Sequence, residues 1–88
     1  MIHIHENQYL RLRDDYSGIC LACFSVAIGN IEPDAENYIC ESCDEPRVQG
    51  IDNLLIMGLI NIDDTVEKPF VRLKSRKTGE ITEKPLLW

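Results

Sequence analysis

The chain has 88 residues, of which 15 are acidic and 9 are basic, and its formal charge at neutral pH is −6. A chain of this length forms one small domain whose apolar core is marginal without a cross-link or a metal. The negative charge argues against strong non-specific affinity for nucleic acid, and no apolar run is long enough to span a bilayer. The N-terminus lacks the basic start and apolar stretch of a secretory signal, so we expect a cytoplasmic protein with no membrane partner.

Residues 2–13 alternate weakly between apolar and polar side chains, which predicts one or two short strands laid against the edge of the rest of the fold. Ile2 and Ile4 fall on one face of this pattern, and His3 and His5 fall on the other. The two histidines are candidates for additional metal ligands. The alternative is a pair of solvated side chains near a frayed terminus.

Four cysteines dominate the middle of the chain. They form two C-x-x-C pairs, Cys20 with Cys23 and Cys40 with Cys43, with sixteen residues between the pairs. This spacing is typical of a tetrahedral zinc site in which each pair forms a tight turn, which we call a knuckle. Four thiolates leave no open coordination position, so one Zn²⁺ held here would be structural rather than catalytic. The alternatives are two disulfides, which the cytoplasm disfavours, an iron site or a redox dithiol.

The residues between the two knuckles predict the strands of a zinc ribbon. Residues 24–28 are strand-like, residues 29–37 form a polar loop with strong turn signals, and residues 38–39 return as a short strand. We therefore expect a β-hairpin between the knuckles. Knuckles of an iron site usually carry glycine after the second cysteine, and Phe24 and Asp44 stand there in this chain.

Residues 51–60 predict a short helix. Its core-facing stripe consists of Ile51, Leu54, Leu55, Gly58 and Leu59. Ile56, Met57 and Ile60 lie away from this stripe, and a helix that is apolar on nearly all sides is usually covered on more than one side. These three residues are candidates for a partner interface, and burial within the chain is the alternative. Gly58 either marks the end of the helix or lets another backbone approach closely.

The charge is distributed unevenly along the chain. Residues 1–67 carry a net charge of −10, whereas residues 68–88 carry +4. Apolar and polar side chains alternate over residues 70–76, and a turn leads to residues 81–83, which predicts a C-terminal β-hairpin.

The first strand of this hairpin holds the candidate nucleic-acid-binding residues, which are Phe70, Arg72, Lys74, Arg76 and Lys77. Alternation would place three of the cations on one face at a spacing that suits phosphates, with the aromatic ring available to stack on a base. The alternatives are that the charges protect an edge strand against aggregation, or that they bind the chain's own acidic loop at residues 32–45.

Three segments carry a resemblance to a known group of proteins. They are the first knuckle, the Ile-Glu-Pro-Asp-Ala loop at residues 31–35 with Tyr-Ile-Cys-Glu-Ser-Cys at residues 38–43, and Gly-Ile-Asp-Asn-Leu-Leu-Ile-Met-Gly at residues 50–58. Over these segments the chain resembles small zinc-ribbon proteins of unknown role from bacteriophages and prophages. The resemblance implies the ribbon, its four cysteine ligands and a bacterial host cell, and it implies no established activity.

Catalytic signatures are missing from the sequence, which has no glycine-rich phosphate loop, no H-E-x-x-H motif and no nucleophile elbow. We therefore expect a non-enzymatic protein with a single α+β domain over residues 1–88. It would combine a zinc-ribbon core at residues 16–60, with one short helix, and a basic hairpin tail at residues 68–88. The first functional hypothesis is an adaptor or inhibitor that binds a protein partner. The second is a nucleic-acid-binding or transcription-regulating ribbon, and a homodimer through the helix is compatible with either.

Overall fold

The computed structural model describes residues 1–86 and confirms a small α+β fold. Its elements are β1 (Ile2–Ile4), α1 (Glu6–Asp14), β2 (Gly18–Cys20), β3 (Val26–Ala27), β4 (Val48–Gly50), α2 (Ile51–Ile56), β5 (Ile60–Ile62), β6 (Phe70–Lys74) and β7 (Ile81–Pro85). Two sheets organise these elements. We call the three-stranded sheet β3-β2-β4 with its two knuckles the ribbon, and the four-stranded sheet β5-β1-β6-β7 the mixed sheet.

Strand β1 lies inside the mixed sheet. It pairs in parallel with β5, where Ile2 lies opposite Ile60, and antiparallel with β6, where Ile2 lies opposite Val71. Ile2 and Ile4 are fully buried. The predicted strand is therefore confirmed. Its predicted place at an edge is wrong, because neighbours on both sides satisfy its backbone groups and cover its apolar face.

The second predicted N-terminal strand is wrong, because this segment forms helix α1. His5 caps the helix. Its ring Nδ1 accepts the backbone N–H of Asn7, and its backbone N–H donates to Gln8 Oε1 at 3.0 Å. Only Tyr9 and Leu12, one turn apart, are buried in α1, whereas Leu10 is exposed. A helix that buries only two side chains leaves a weak periodic signal, and here it imitated the alternation of a strand.

Each knuckle lies at the tip of its own hairpin. The first knuckle joins β2 to β3, with Ile19 opposite Val26, and the second joins Tyr38 to Val48, whose backbones exchange two hydrogen bonds of 2.9 and 3.0 Å. β2 also pairs with β4, where Cys20 lies opposite Val48, so the two hairpins become one sheet. The predicted hairpin between the knuckles is therefore wrong. A short turn closes with less loss of chain entropy than the long polar loop does.

Two glycines let a loop lie directly over the ribbon. Gly18 lies opposite Gly50 in the sheet. A Cβ atom at Gly50 would collide with the carbonyl oxygen of Pro33, and one at Gly18 would come within 2.7 Å of Ile31 Cγ2. The absence of both side chains brings the loop against the sheet, where Ile31 is buried, and this loop leads directly into the second hairpin.

Helix α2 is shorter than predicted. It ends at Ile56, and Gly58 takes a left-handed φ of +74°, which fits the interpretation that this glycine marks the helix end. Ile51 and Leu54 are fully buried, as their places on the predicted stripe require. The chain then turns into β5, which buries Ile60 to 6% exposure. The prediction that Ile60 belongs to a partner interface is therefore wrong.

The C-terminal hairpin forms as predicted. β6 and β7 pair over five positions, from Phe70 opposite Pro85 to Lys74 opposite Ile81. β7 pairs along the whole of β6, whereas β1 pairs only with Phe70 and Val71, so the alternative that the charges protect an edge strand stays a prediction for Lys74. The last two residues of the predicted tail, 87–88, lie outside the described residues.

Two clusters of buried side chains lie under the two sheets. The main core consists of Ile2, Ile4, Tyr9, Leu12, Ile19, Ile51, Leu54, Ile60, Val71 and Leu86. The ribbon core consists of Cys20, Ile31, Ala35, Cys40 and Val48. Ile19 and Cys20 are neighbours in β2 but belong to different clusters, so this strand joins the two halves. Among residues 1–86, no helix is long and apolar enough to cross a membrane.

Candidate metal centre

The two knuckles repeat one backbone arrangement. The carbonyl oxygen of Cys20 accepts the N–H of Phe24 at 2.9 Å, and that of Cys40 accepts the N–H of Asp44 at 2.8 Å. Phe24 and Asp44 both take left-handed conformations, with φ of 59° and 62°. Glycine adopts this conformation most easily, but the backbone reaches it here without glycine. The residue types at these positions therefore do not distinguish iron from zinc.

The same arrangement directs N–H groups at the first sulfur of each knuckle. Cys20 Sγ accepts the N–H of Ala22 at 3.3 Å, and Cys40 Sγ accepts the N–H of Ser42 at 3.4 Å. Such donors spread the charge of a thiolate and fix the orientation of a metal ligand. Both of these cysteines are buried in the ribbon core, while Cys23 and Cys43 are partly exposed.

The four sulfur atoms lie together, as the spacing predicts. All four Sγ atoms lie within 4.8 Å of one another. Two of the separations, Cys20 to Cys43 and Cys23 to Cys40, are 3.7 Å. A tetrahedron with metal–sulfur bonds of about 2.3 Å has edges of about 3.8 Å, so these atoms fit the coordination shell of one ion. The cysteines are free, and the sulfur separations exclude the disulfide alternative in this conformation.

The surroundings of the cluster shift the pKa values of three of its cysteines. Ser25 Oγ lies 3.2 Å from Cys23 Sγ, and this contact lowers the pKa of Cys23 to about 6. Burial raises the pKa of Cys20. A backbone hydrogen bond from Glu45 lowers the pKa of Cys43, but burial and the neighbouring cysteines outweigh it and raise that pKa to about 12. Four thiolates this close repel one another, and a shared divalent cation removes that repulsion and releases the protons.

Sequence reasoning missed Ser25. Its hydroxyl lies two residues after Cys23, in the turn that leads into β3, and it is 9% exposed. The available signal is a hydroxyl residue two positions beyond a C-x-x-C pair. The hydroxyl can donate to the thiolate of Cys23, and the backbone N–H of Ser25 supports the same ligand.

The predicted histidine ligands lie elsewhere. His5 caps α1, and the ring of His3 stacks on Phe70 with centroids 4.9 Å apart. Of the described residues, the only group of three or more side chains arranged to hold a metal ion is the four-cysteine cluster.

The candidate nucleic-acid-binding residues divide into two sets. Phe70 is covered on one side by His3, and Arg72 lies 5.9 Å from the Phe70 ring centroid while its Nη2 contacts Glu83 Oε1 at 2.9 Å. These two candidates are therefore engaged within the mixed sheet. Lys74 is exposed at the end of β6.

The other two cations lie beyond this strand. Arg76 and Lys77 are exposed in the turn between β6 and β7. The prediction that Arg76 continues the strand face is wrong, because β6 ends at Lys74 and the chain begins to turn at Ser75, whose N–H donates to the carbonyl oxygen of Glu80 at 2.8 Å.

The remaining candidates for a partner interface are exposed. Ile56 and Met57, at the end of α2, expose 82% and 49% of their surface. Ile56 faces away from Leu54, which is buried in the main core, and Met57 is the residue that caps the end of α2.

Comparison with known proteins adds no relative to this description. The chain matches no protein-family model, no curated protein and no solved structure. The resemblance to zinc ribbons of bacteriophages stays a prediction. The four-cysteine cluster, placed by two equivalent knuckles and able to hold one metal ion, is therefore the main functional feature of the chain.

Proposed function

We propose that this protein is a non-enzymatic zinc-binding module that binds a protein partner. It would act as an adaptor or inhibitor of the bacteriophage or prophage type in the cytoplasm of a bacterial host cell. The four-cysteine cluster supports the metal-binding part of this proposal, and the surface of α2 supports the partner-binding part. The resemblance over residues 20–58 supports the setting.

The metal in this proposal is a single structural zinc ion. Four thiolates fill a tetrahedral shell, so no position is left for water or substrate. Zinc matches this donor set and the cytoplasmic setting, whereas iron bound to the same four sulfurs would give a coloured protein. Native mass spectrometry of the purified chain with elemental analysis tests the assignment. One zinc per chain supports it, and one iron or no metal contradicts it.

A rigid apolar surface carries the partner-binding part of the proposal. Three consecutive residues of α2 and its end, Leu55, Ile56 and Met57, are 41%, 82% and 49% exposed. The same helix is anchored in the main core by Ile51 and Leu54, which have no exposure. Adjacent exposed apolar side chains on a fixed element are typical of protein interfaces rather than of a free surface.

Capture from a bacterial lysate on the immobilised, metal-loaded chain tests this function. We expect the unmodified protein and an Ile81→Lys variant to retain the same partner, and an Ile56→Lys variant to lose it. Ile81 is the matched control, since it is 59% exposed on the mixed sheet. Repeated capture of no partner, or retention unaffected by Ile56→Lys, contradicts the proposal. A homodimer in native mass spectra that Ile56→Lys dissolves would make a second copy the partner.

Nucleic-acid binding is the second candidate function, and the tip of the C-terminal hairpin favours it. Lys74, Arg76 and Lys77 are exposed there, and within residues 1–86 they form no salt bridge with an acidic side chain. This candidate expects oligonucleotide binding that weakens with salt and is lost when the three residues become alanine. Absence of binding at low salt excludes it.

A further inference from the structure

A groove opens between the two free edges of the ribbon. Residues 25–31 line one side, residues 37–42 line the other, and the enclosed space is about 630 Å³. On one side is β3, which pairs only with β2. On the other side is the short segment around Tyr38, which pairs only with Val48. The groove therefore lies where a further strand would complete the sheet.

On both sides of the groove, backbone groups point away from the strands already paired. Tyr38 exchanges both of its backbone hydrogen bonds with Val48, so the alternation of an antiparallel pair directs the N–H and C=O of Ile39 away from Val48. On the opposite side, Cys20 donates its N–H to Ser25 at 3.0 Å. The same alternation then directs the backbone groups of Val26 away from β2.

Exposed apolar side chains border the groove. Ile28 is 69% exposed on one side, and Ile39 is 64% exposed on the other. Free strand edges with exposed apolar neighbours are sites where an extended chain adds as a new strand. At about 3.3 Å per residue, residues 25–28 offer room for roughly four residues of such a chain.

The charge of the ribbon defines what the groove would bind. From β2 to β4, residues 18–50 contain six acidic residues and one basic residue, Arg47. Among residues 1–86, Glu41 is the only acidic or basic side chain that lines the groove, and the acidic loop lies beside it, with Glu32 accepting a hydrogen bond from the Tyr38 hydroxyl. A negatively charged rim favours lysine and arginine and disfavours an acidic segment.

The chain's own basic strand is a poor occupant. β7 pairs with all five residues of the Phe70–Lys74 strand and β1 pairs with the first two, so a second copy would need to unpair this strand from its neighbours before it could enter the groove. This leaves a segment of another protein as the occupant that the charges favour.

We propose that the groove binds an extended, basic peptide segment of a partner protein, with apolar and basic residues in alternation, as an added strand between β3 and Ile39. The inference rests on the proposed partner-binding function and adds a second contact on the ribbon, apart from the exposed apolar surface of α2, together with the chemistry of the partner segment that it binds. Main-chain hydrogen bonds give the affinity, and the acidic surroundings select the basic side chains.

Fluorescence anisotropy with the zinc-loaded full chain tests the inference. The probe is a labelled peptide of alternating lysine and valine, about eight residues long, and two controls replace lysine by glutamate or methylate the valine nitrogens. We expect saturable binding of the lysine peptide, a loss of roughly tenfold or more on N-methylation, and no binding of the glutamate peptide. No saturable binding, or equal binding of the N-methylated peptide, overturns the inference.

A charge-reversal pair tests the position of the site. Glu41→Lys should weaken binding by roughly three- to tenfold, whereas Glu80→Lys, an identical change in the distant hairpin turn, should leave it unchanged. Amide resonances of Val26, Ile28 and Ile39 should shift on titration. Equal weakening by both variants, or shifts confined to other regions, overturns the proposed site.

The outcomes separate the groove from the proposed function. If a partner is captured from lysate and the lysine peptide does not displace it, the proposed groove site is contradicted. The partner-binding function is then still supported. Peptide binding that meets every criterion, with no partner captured from lysate, supports the groove and contradicts the function.

Discussion

The ribbon and the mixed sheet are held together by different means. The mixed sheet and the two helices share the main core of ten buried side chains, nearly all of them large and apolar. The ribbon core has five, of which two are metal-ligand cysteines and one is alanine. A sheet with so few buried apolar atoms gains little from the hydrophobic effect, so a metal ion held by the four cysteines would take over the role of a core. The difference shows how a chain of 88 residues supports two sheets.

The largest expected effect comes from removing a ligand. Cys40→Ser should abolish stoichiometric metal binding and unfold the ribbon, because a structural metal contributes on the order of 10 kcal/mol to such a fold. Elemental analysis and circular dichroism measure the two consequences. Ser42→Ala is the control in the same knuckle, since the N–H of Ser42 that contacts Cys40 Sγ is retained. A folded, metal-free Cys40→Ser variant would contradict this part of the account.

The next largest effect is expected when a substitution creates a cavity in the main core. Leu54→Ala should lower the free energy of unfolding by about 2–5 kcal/mol, because Leu54 is fully buried, while the metal stoichiometry stays unchanged. Leu55→Ala is the matched control, since Leu55 is 41% exposed, and it should cost less than about 1 kcal/mol. Urea unfolding of the metal-loaded variants measures both. Equal effects at the two positions would show that the helix is packed differently.

A smaller effect is expected at the left-handed position of the second knuckle. Asp44→Gly should raise the free energy of unfolding by about 0.5–1 kcal/mol, because φ is 62° and glycine adopts this conformation without steric cost. Asp44→Val should have the opposite sign, since a β-branched side chain is disfavoured there. Thermal unfolding compares the two variants. If both lower the stability, the knuckle backbone is not strained at this position.

The smallest expected effect concerns pH. The pKa of Cys23 is lowered from 9.0 to about 6, so the stability that its ionisation contributes is complete above about pH 9 and is lost as the pH falls through about 6. Ser25→Ala removes the hydroxyl contact and raises this pKa, so protons displace the metal at a pH higher by a few tenths. Metal release to a chromophoric chelator measures the midpoint. Ser42→Ala should leave it unchanged, and an unchanged midpoint for Ser25→Ala would contradict the assigned role.

The four ligands and the C-terminal hairpin could be predicted because their signals are local. The C-x-x-C spacing determines which sulfurs can converge, and the alternation of β6 reflects the buried Val71 between the half-buried Phe70 and the exposed Arg72. The helical spacing of Ile51 and Leu54 predicted equally directly that both side chains of α2 are buried. In each case a few residues adjacent in sequence contain the whole pattern.

The missed features depend on tertiary contacts. Helix α1 is capped by His5 rather than by a usual serine, threonine or aspartate, and it buries two side chains only because α2 and the mixed sheet lie beside it. Ile60 is buried by its pairing with Ile2, which is distant in sequence. The choice between one hairpin joining the knuckles and one hairpin at each knuckle depends on β2, which pairs with both β3 and β4.

Amide hydrogen exchange of the full chain, before and after the metal is removed by a chelator, tests the central claim most directly. The account predicts that protection in β2, β3 and the Tyr38–Val48 pair falls by about a hundredfold or more, while protection in β1 and β6 changes by less than about tenfold. Equal loss in both sheets, or retained protection in the ribbon without metal, would contradict the claim that a metal ion holds the ribbon while an apolar core holds the rest.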